Sequence, residues 1–130
     1  MIGGYAVSIH GYPRYTKDLD ICIELSGENA AKMINVLKDF GLSSLGLTKE
    51  DFTREKFVTQ LGYEPLRIDI LNDIDGVSFK EAWDNRKEVT YESVKINFVG
   101  YNELILLKTL AGRKQDIADI EKLTERNKNK

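Results

Sequence analysis

The chain has 130 residues, 42% of them hydrophobic and 31% charged, with a net charge of −2. That length holds one domain around one core, and the composition is that of a folded, soluble chain rather than a disordered one. The near-neutral charge argues against a broadly basic nucleic-acid-binding surface, no segment has the apolar length to span a bilayer, and no secretory signal is expected.

In chain order, Gly3-Gly4 leads into a helix predicted from about Tyr5 to His10. A Gly pair is an ordinary turn element, and it also lets backbone N–H groups approach an anion where a side chain would intrude. Gly11-Tyr12-Pro13 makes a turn, and a strand is expected over Asp18 to Glu24. Strand alternation puts Asp18 and Asp20 on one face and Leu19 and Ile21 on the other, against a core. Two like charges held side by side are unfavourable unless a cation answers them, and a hard dication such as Mg²⁺ suits oxygen ligands. The bland alternative for Asp18 and Asp20 is a solvated strand face. Cys22 is the only cysteine, so no internal disulfide forms. Lying between Ile21 and Ile23, it reads as a small core residue, and a reducing cytoplasm is the expected location.

Ser26-Gly27 precedes a helix from about Glu28 to Phe40, with Ala31, Ile34, Leu37 and Lys38 spaced for one face, and Gly41 stops it. Thr48 is placed to cap a short helix with Asp51 at the capping-box position. Lys56–Leu61 and Leu66–Leu71 read as a hairpin joined by Gly62-Tyr63-Glu64-Pro65. The second of these strands carries Asp69 between Ile68 and Ile70. A neighbouring strand would bring Asp69 to the pocket of Asp18 and Asp20, and three carboxylates can hold two metal ions. Asp73 and Asp75 fit a turn better than a calcium loop, because no Glu stands at the later ligand position. Ser78 is expected to cap a helix to about Asn85, and Glu88–Tyr91 with Val94–Val99 form a second hairpin around Glu92-Ser93. Helices are predicted from about Tyr101 to Leu110 and Gln115 to Glu125, with residues 127–130 frayed.

The expected fold class is α/β (α+β): a small mixed sheet with helices packed on it and a helical tail. Residues 1–99 would form the core of one domain and residues 100–126 its C-terminal helices. Lys108 sits in a largely apolar helix and needs a partner, either a carboxylate or a bound phosphate. Arg14 and Lys17 flank the first carboxylates, to balance charge or to reach phosphates. Arg113-Lys114 reads as cations favoured at a helix end or as acceptor-binding residues. His10, the only histidine, is expected to pack or cap rather than bind zinc. From Glu64 to Glu92 there are eight acidic and four basic residues, whereas Ala111 to Lys130 has six basic and four acidic, so an anionic acceptor would favour the tail.

The stretch Gly3-Gly4-Tyr5-Ala6-Val7, His10-Gly11 and Arg14-Tyr15-Thr16-Lys17-Asp18-Leu19-Asp20-Ile21 resembles the signature of the DNA polymerase β-like nucleotidyltransferase superfamily. Within it the chain is most similar to the minimal prokaryotic branch that includes the AbiEii-type toxins. The segment Asn102 to Lys108, then Ala111 to Asp116 and Asp119-Ile120, is similar to that branch's helical tail, so the resemblance covers most of the chain. It implies a nucleotidyltransferase fold, an NTP substrate and Mg²⁺, with two ions held by Asp18, Asp20 and Asp69. Gly3 and Gly4 would contact the triphosphate, and Arg14, Thr16, Lys108 and Arg113 would fall in or near the nucleotide pocket. The implied acceptor is a hydroxyl on protein or RNA, tRNA included, and the implied partner is the other half of a toxin–antitoxin or phage-defence pair. A catalytically silent nucleotide-binding or protein-interaction module with the same fold is the alternative. Relatives carry a helix and a core strand before the Gly pair, where this chain has only Met1-Ile2, so a truncated start or a stunted first strand is expected.

Overall fold

The computed structural model describes residues 1–65 and 67–128. Helix α1 (Gly3–Ile9) is followed by strand β1 (Asp18–Cys22), helix α2 (Gly27–Asp39), a 3-10 turn at Ser43–Leu45 and helix α3 (Lys49–Thr53). Strands β2 (Val58–Leu61) and β3 (Arg67–Leu71), helix α4 (Phe79–Asp84) and strands β4 (Lys87–Tyr91) and β5 (Val94–Phe98) come next. Helices α5 (Tyr101–Ala111) and α6 (Lys114–Lys128) close the chain. This is the mixed α/β architecture expected, with a small mixed sheet and C-terminal helices.

The central sheet has the order β1-β3-β2, with β1 parallel to β3 and β2 antiparallel to it. Strands β4 and β5 form a separate antiparallel ribbon, turned through Glu92 and Ser93, both at positive φ as a two-residue hairpin loop of this twist requires. Met1-Ile2 lies between the two sheets. Ile2 N–H donates to Asp20 O at 3.0 Å, and Val99 N–H donates to Met1 O at 3.0 Å. Met1-Ile2 is thus a two-residue link that touches both neighbours.

Alternation along β1 and β3 divides the sheet by polarity. Leu19, Ile21, Ile68 and Ile70 share the face toward α2, where Ala30, Leu37 and Phe52 form a buried cluster with Met33, Ile34, Leu42 and Leu61 around it. Asp18, Asp20, Arg67 and Asp69 share the other face. A second apolar cluster, Ala6, Val7, Phe98, Val99, Leu104 and Leu123, seats α1, α5 and α6 against β5.

The helix starts follow their caps. Ser26 Oγ accepts from Asn29 N–H and Ser78 Oγ from Glu81 N–H, each at 3.1 Å, while Thr48 N–H donates to the Asp51 carboxylate at 2.9 Å. Buried Asn72 holds the α3–β2 connection. Its amide donates to Phe52 O and Arg54 O, and its oxygen accepts from Phe57 N–H.

Several boundaries depart from the sequence expectation. Helix α1 begins at Gly3, so the Gly pair forms its first turn instead of preceding it. The inward face of α2 uses Ala30 rather than Ala31, and Lys38 is exposed. β2 starts at Val58 because Lys56 has φ +57°, outside strand geometry. Helix α6 continues through Asn127 and Lys128, where fraying was expected, with Arg126 and Lys128 as basic residues in a last turn whose dipole favours them. Leu66, expected to open β3, and residues 129 and 130 lie outside the described residues.

Candidate functional site

Parallel pairing of β1 with β3 sets Asp20 opposite Asp69 and Asp18 opposite Arg67. Four charged side chains therefore form a square on one sheet face. The Arg67 Nη2 donates to Asp18 Oδ2 at 2.8 Å and to Asp69 Oδ2 at 3.1 Å. Arg67 Nε stands 3.0 Å from Asp69 Oδ1 as an ion pair, without the alignment of a hydrogen bond. Asp18 Oδ1 is buried with no partner. Burial, then the charges of Asp69 and Asp18, push the Asp20 carboxyl above the usual carboxylate range, against the pull of Arg67 and Lys108.

Gly3 and Gly4 are required by what packs on them. Gly3 has φ +71°, and a Cβ there would land on the Asp20 carboxylate. A Cβ on Gly4 would collide with the Thr16 side chain, whose hydroxyl donates to Asp18 O at 3.3 Å. The Gly pair thus lets α1 and the loop before β1 close around the carboxylates.

The square forms one wall of a cavity of about 420 Å³, the scale of small-molecule sites. Helix α5 and the start of α6 form the opposite wall through Lys108, Arg113 and Asp116. Lys108 is 6% exposed, and its Nζ lies 3.1 Å from Asp116 Oδ1 and 3.0 Å from Asp119 Oδ2. Of the two partners the sequence left open for this lysine, the carboxylate is the one it has. Arg113 Nε donates to Asp116 Oδ2 at 2.7 Å. Arg14 makes a bidentate pair with Asp119, both bonds 2.8 Å, and Gln115 adds a third donor at 2.9 Å. Burial alone would raise both carboxyls, but for Asp116 the bonds from Arg113 and Lys108, and for Asp119 those from Arg14, Lys108 and Gln115, hold them below the usual range.

The structure therefore brings Gly3, Asp18, Asp20, Asp69, Lys108 and Arg113 to one cavity, while Gly4, Arg14 and Thr16 support it from outside the lining. Sequence reasoning missed Arg67, Asp116 and Asp119 as members of the constellation. Arg67 was legible in principle, two positions before Asp69 and so on the same strand face. Asp116 and Asp119 carry no local sign of their roles, since their partners lie on α5 and in the loop before β1. His10 packs as expected, with Nε2 2.7 Å from Val99 O and its ring edge-on to Tyr101. Burial pushes the Cys22 thiol up to about 11, which leaves it protonated and unreactive at neutral pH.

The donor chemistry fits a hard dication: three carboxylates on adjacent strands, two of them, Asp18 and Asp69, with a buried oxygen that no hydrogen bond satisfies. In the present arrangement Arg67 takes that role toward Asp18 and Asp69, and among the described residues no three His, Cys, Asp or Glu side chains are gathered around one point. Among those residues, no helix is long and apolar enough to cross a membrane.

Compared with known families, residues 2–130 match the one described as "Nucleotidyl transferase of unknown function (DUF2204)". No curated protein matches the chain.

Proposed function

We propose, since the chain belongs to the DUF2204 family of nucleotidyl transferases, that it moves a nucleoside monophosphate from an NTP to a hydroxyl of a protein or RNA acceptor. One observation carries the reading: the register that sets Asp20 against Asp69, with Asp18 beside them, on the wall of a cavity whose other wall bears Lys108 and Arg113.

Asp18, Asp20 and Asp69 would hold Mg²⁺, which when bound polarises the phosphate under attack and offsets charge on the leaving pyrophosphate. The chain's residues supply the rest. Asp69 is suited to take the proton of the acceptor hydroxyl as its oxygen bonds to the α-phosphorus and the bond to the β-phosphate oxygen breaks. Arg113, exposed at the rim, is suited to meet the departing pyrophosphate. Lys108 is held by Asp116 and Asp119 and acts on the cavity as a fixed positive charge. The resemblance to AbiEii-type toxins supports a place in a toxin–antitoxin or phage-defence pair, with the cognate protein as partner.

The test is transfer of α-phosphate-labelled ATP, CTP, GTP and UTP, with Mg²⁺, into total tRNA, cell lysate and the protein itself. Label that disappears in Asp18→Ala/Asp20→Ala supports the reading. A second reading, a nucleotide-binding module without turnover, is favoured by the Arg67 pairs across Asp18 and Asp69. NTP binding with no transfer by any acceptor would select it.

A further inference from the structure

We propose that Arg67 is a built-in competitor of the divalent cation: it pairs with Asp18 and Asp69 and must release at least one of them when the cation binds. The inference rests on the reading of these carboxylates as metal ligands.

The geometry makes the competition direct. One guanidinium nitrogen is shared between Asp18 and Asp69, at 2.8 and 3.1 Å, and a second lies 3.0 Å from the remaining Asp69 oxygen. Three of the four oxygens on these two side chains are therefore within reach of Arg67, and the fourth, Asp18 Oδ1, has neither a hydrogen bond nor an ion pair. A dication drawing on Asp18 and Asp69 meets the arginine on nearly every ligand atom it needs, and the arginine's own charge opposes its entry. The arginine has somewhere to go. Its side chain is 27% exposed, and Glu64 Oε1 lies 3.9 Å from Nη1 on its outer side, held in turn by Lys17 at 3.6 Å. A swing toward Glu64 keeps the positive charge paired while freeing the carboxylates.

A merely structural clamp predicts the opposite sign. If Arg67 only held the ligands in place, its loss would loosen them and weaken metal binding. As a competitor, its loss strengthens binding.

The experiment measures Mn²⁺ affinity of the full chain, without nucleotide, from the loss of the free-ion electron paramagnetic resonance signal. Wild type, Arg67→Gln and Arg67→Lys are compared. Arg67→Gln is expected to bind about tenfold more tightly, with Arg67→Lys between, because lysine keeps the charge but not the fork. Melting temperature gives a second readout: Mg²⁺ should raise that of Arg67→Gln by more than that of wild type. Should Arg67→Gln fail to fold in chelator, Arg67→Lys decides, by binding more or less tightly than wild type. Equal or weaker binding by the variants overturns the competition while the metal-ligand reading stands. Absence of Mn²⁺ binding in all three chains overturns both.

Discussion

Two ionic clusters face each other across one cavity, and they differ in how far their charges are answered. On and behind the helical wall, Lys108 and Arg113, with Arg14 from the loop before β1, surround Asp116 and Asp119 with carboxylate contacts of 2.7 to 3.3 Å. On the sheet wall, one arginine pairs with two of three carboxylates, an oxygen on each of those two has no hydrogen bond, and Asp20 is pushed toward its neutral form. A fully satisfied buried network rigidifies what it joins, here α5, α6 and the loop before β1. An under-compensated cluster held open to a cavity is kept costly by the fold, and a bound cation would relieve it. This difference, more than residue type, makes the sheet wall the candidate for function, since both clusters are built from arginine and aspartate.

The largest effect is expected from breaking the satisfied cluster. Asp119→Ala would leave Lys108 and Arg14 short of their shared partner at a fully buried position, a loss of about 3–5 kcal/mol in chemical denaturation. The same cluster makes the fold acid-sensitive. Carboxyls held lower in the folded than in the unfolded state add stability above their unfolded value of about 4, and lose it as pH falls through the lower folded value. Asp116 and Asp119 are both of this kind. Their contribution should therefore be flat from pH 7 to about 5 and decline below about 4, with a shallower decline in Asp119→Asn. An acid profile unchanged by that substitution would break the contrast between the two walls.

The sheet wall should respond in the opposite way. Asp20→Asn removes a charge repelled by Asp69 and Asp18, so thermal stability should hold or rise by about 1 kcal/mol. Labelled-nucleotide transfer should fall at least about a hundredfold, because an amide is a poor ligand for a hard dication. Loss of stability together with activity would mean that Asp20 belongs to the scaffold after all.

What was readable in the sequence divides along the same line. Alternation placed Asp18, Asp20 and Asp69 on strand faces, and the hairpin ending in Asp69 followed from turn residues, because both depend on neighbours within a few positions. Lys108 was legible as a buried cation in need of a partner. Which partner was not, because Asp116 and Asp119 meet it only after α5 and α6 fold back on each other. Arg14 was drawn toward the nucleotide by its place beside the carboxylates, yet its bidentate bond runs to Asp119, 105 positions away. Arg67 lay in plain view but was passed over, since an arginine flanking carboxylates on a strand looks like ordinary charge balance until its contacts are seen.

Gly3→Ala tests the junction of the clusters with helix α1. The positive φ costs an L-residue about 1 kcal/mol, and the new methyl must displace the Asp20 carboxylate. A loss of about 1–2 kcal/mol is expected in thermal melts, and transfer should fall about tenfold because a displaced ligand misplaces the reacting groups.

The smallest effect should come from Arg113→Ala. This side chain is 76% exposed, and Asp116 keeps both Lys108 and the backbone N–H of residue 113 when the guanidinium is gone. An exposed pair of this sort contributes less than about 1 kcal/mol, so folding should barely change. The informative quantity is the KM for NTP, because Arg113 is the cation of the helical wall free enough in space to turn toward a triphosphate while its partner stays satisfied. A raised KM with unchanged stability would place Arg113 on the functional side of the comparison despite its bond to the structural cluster. An unchanged KM would return it to the scaffold and leave Lys108 as the cavity's fixed positive charge on that wall.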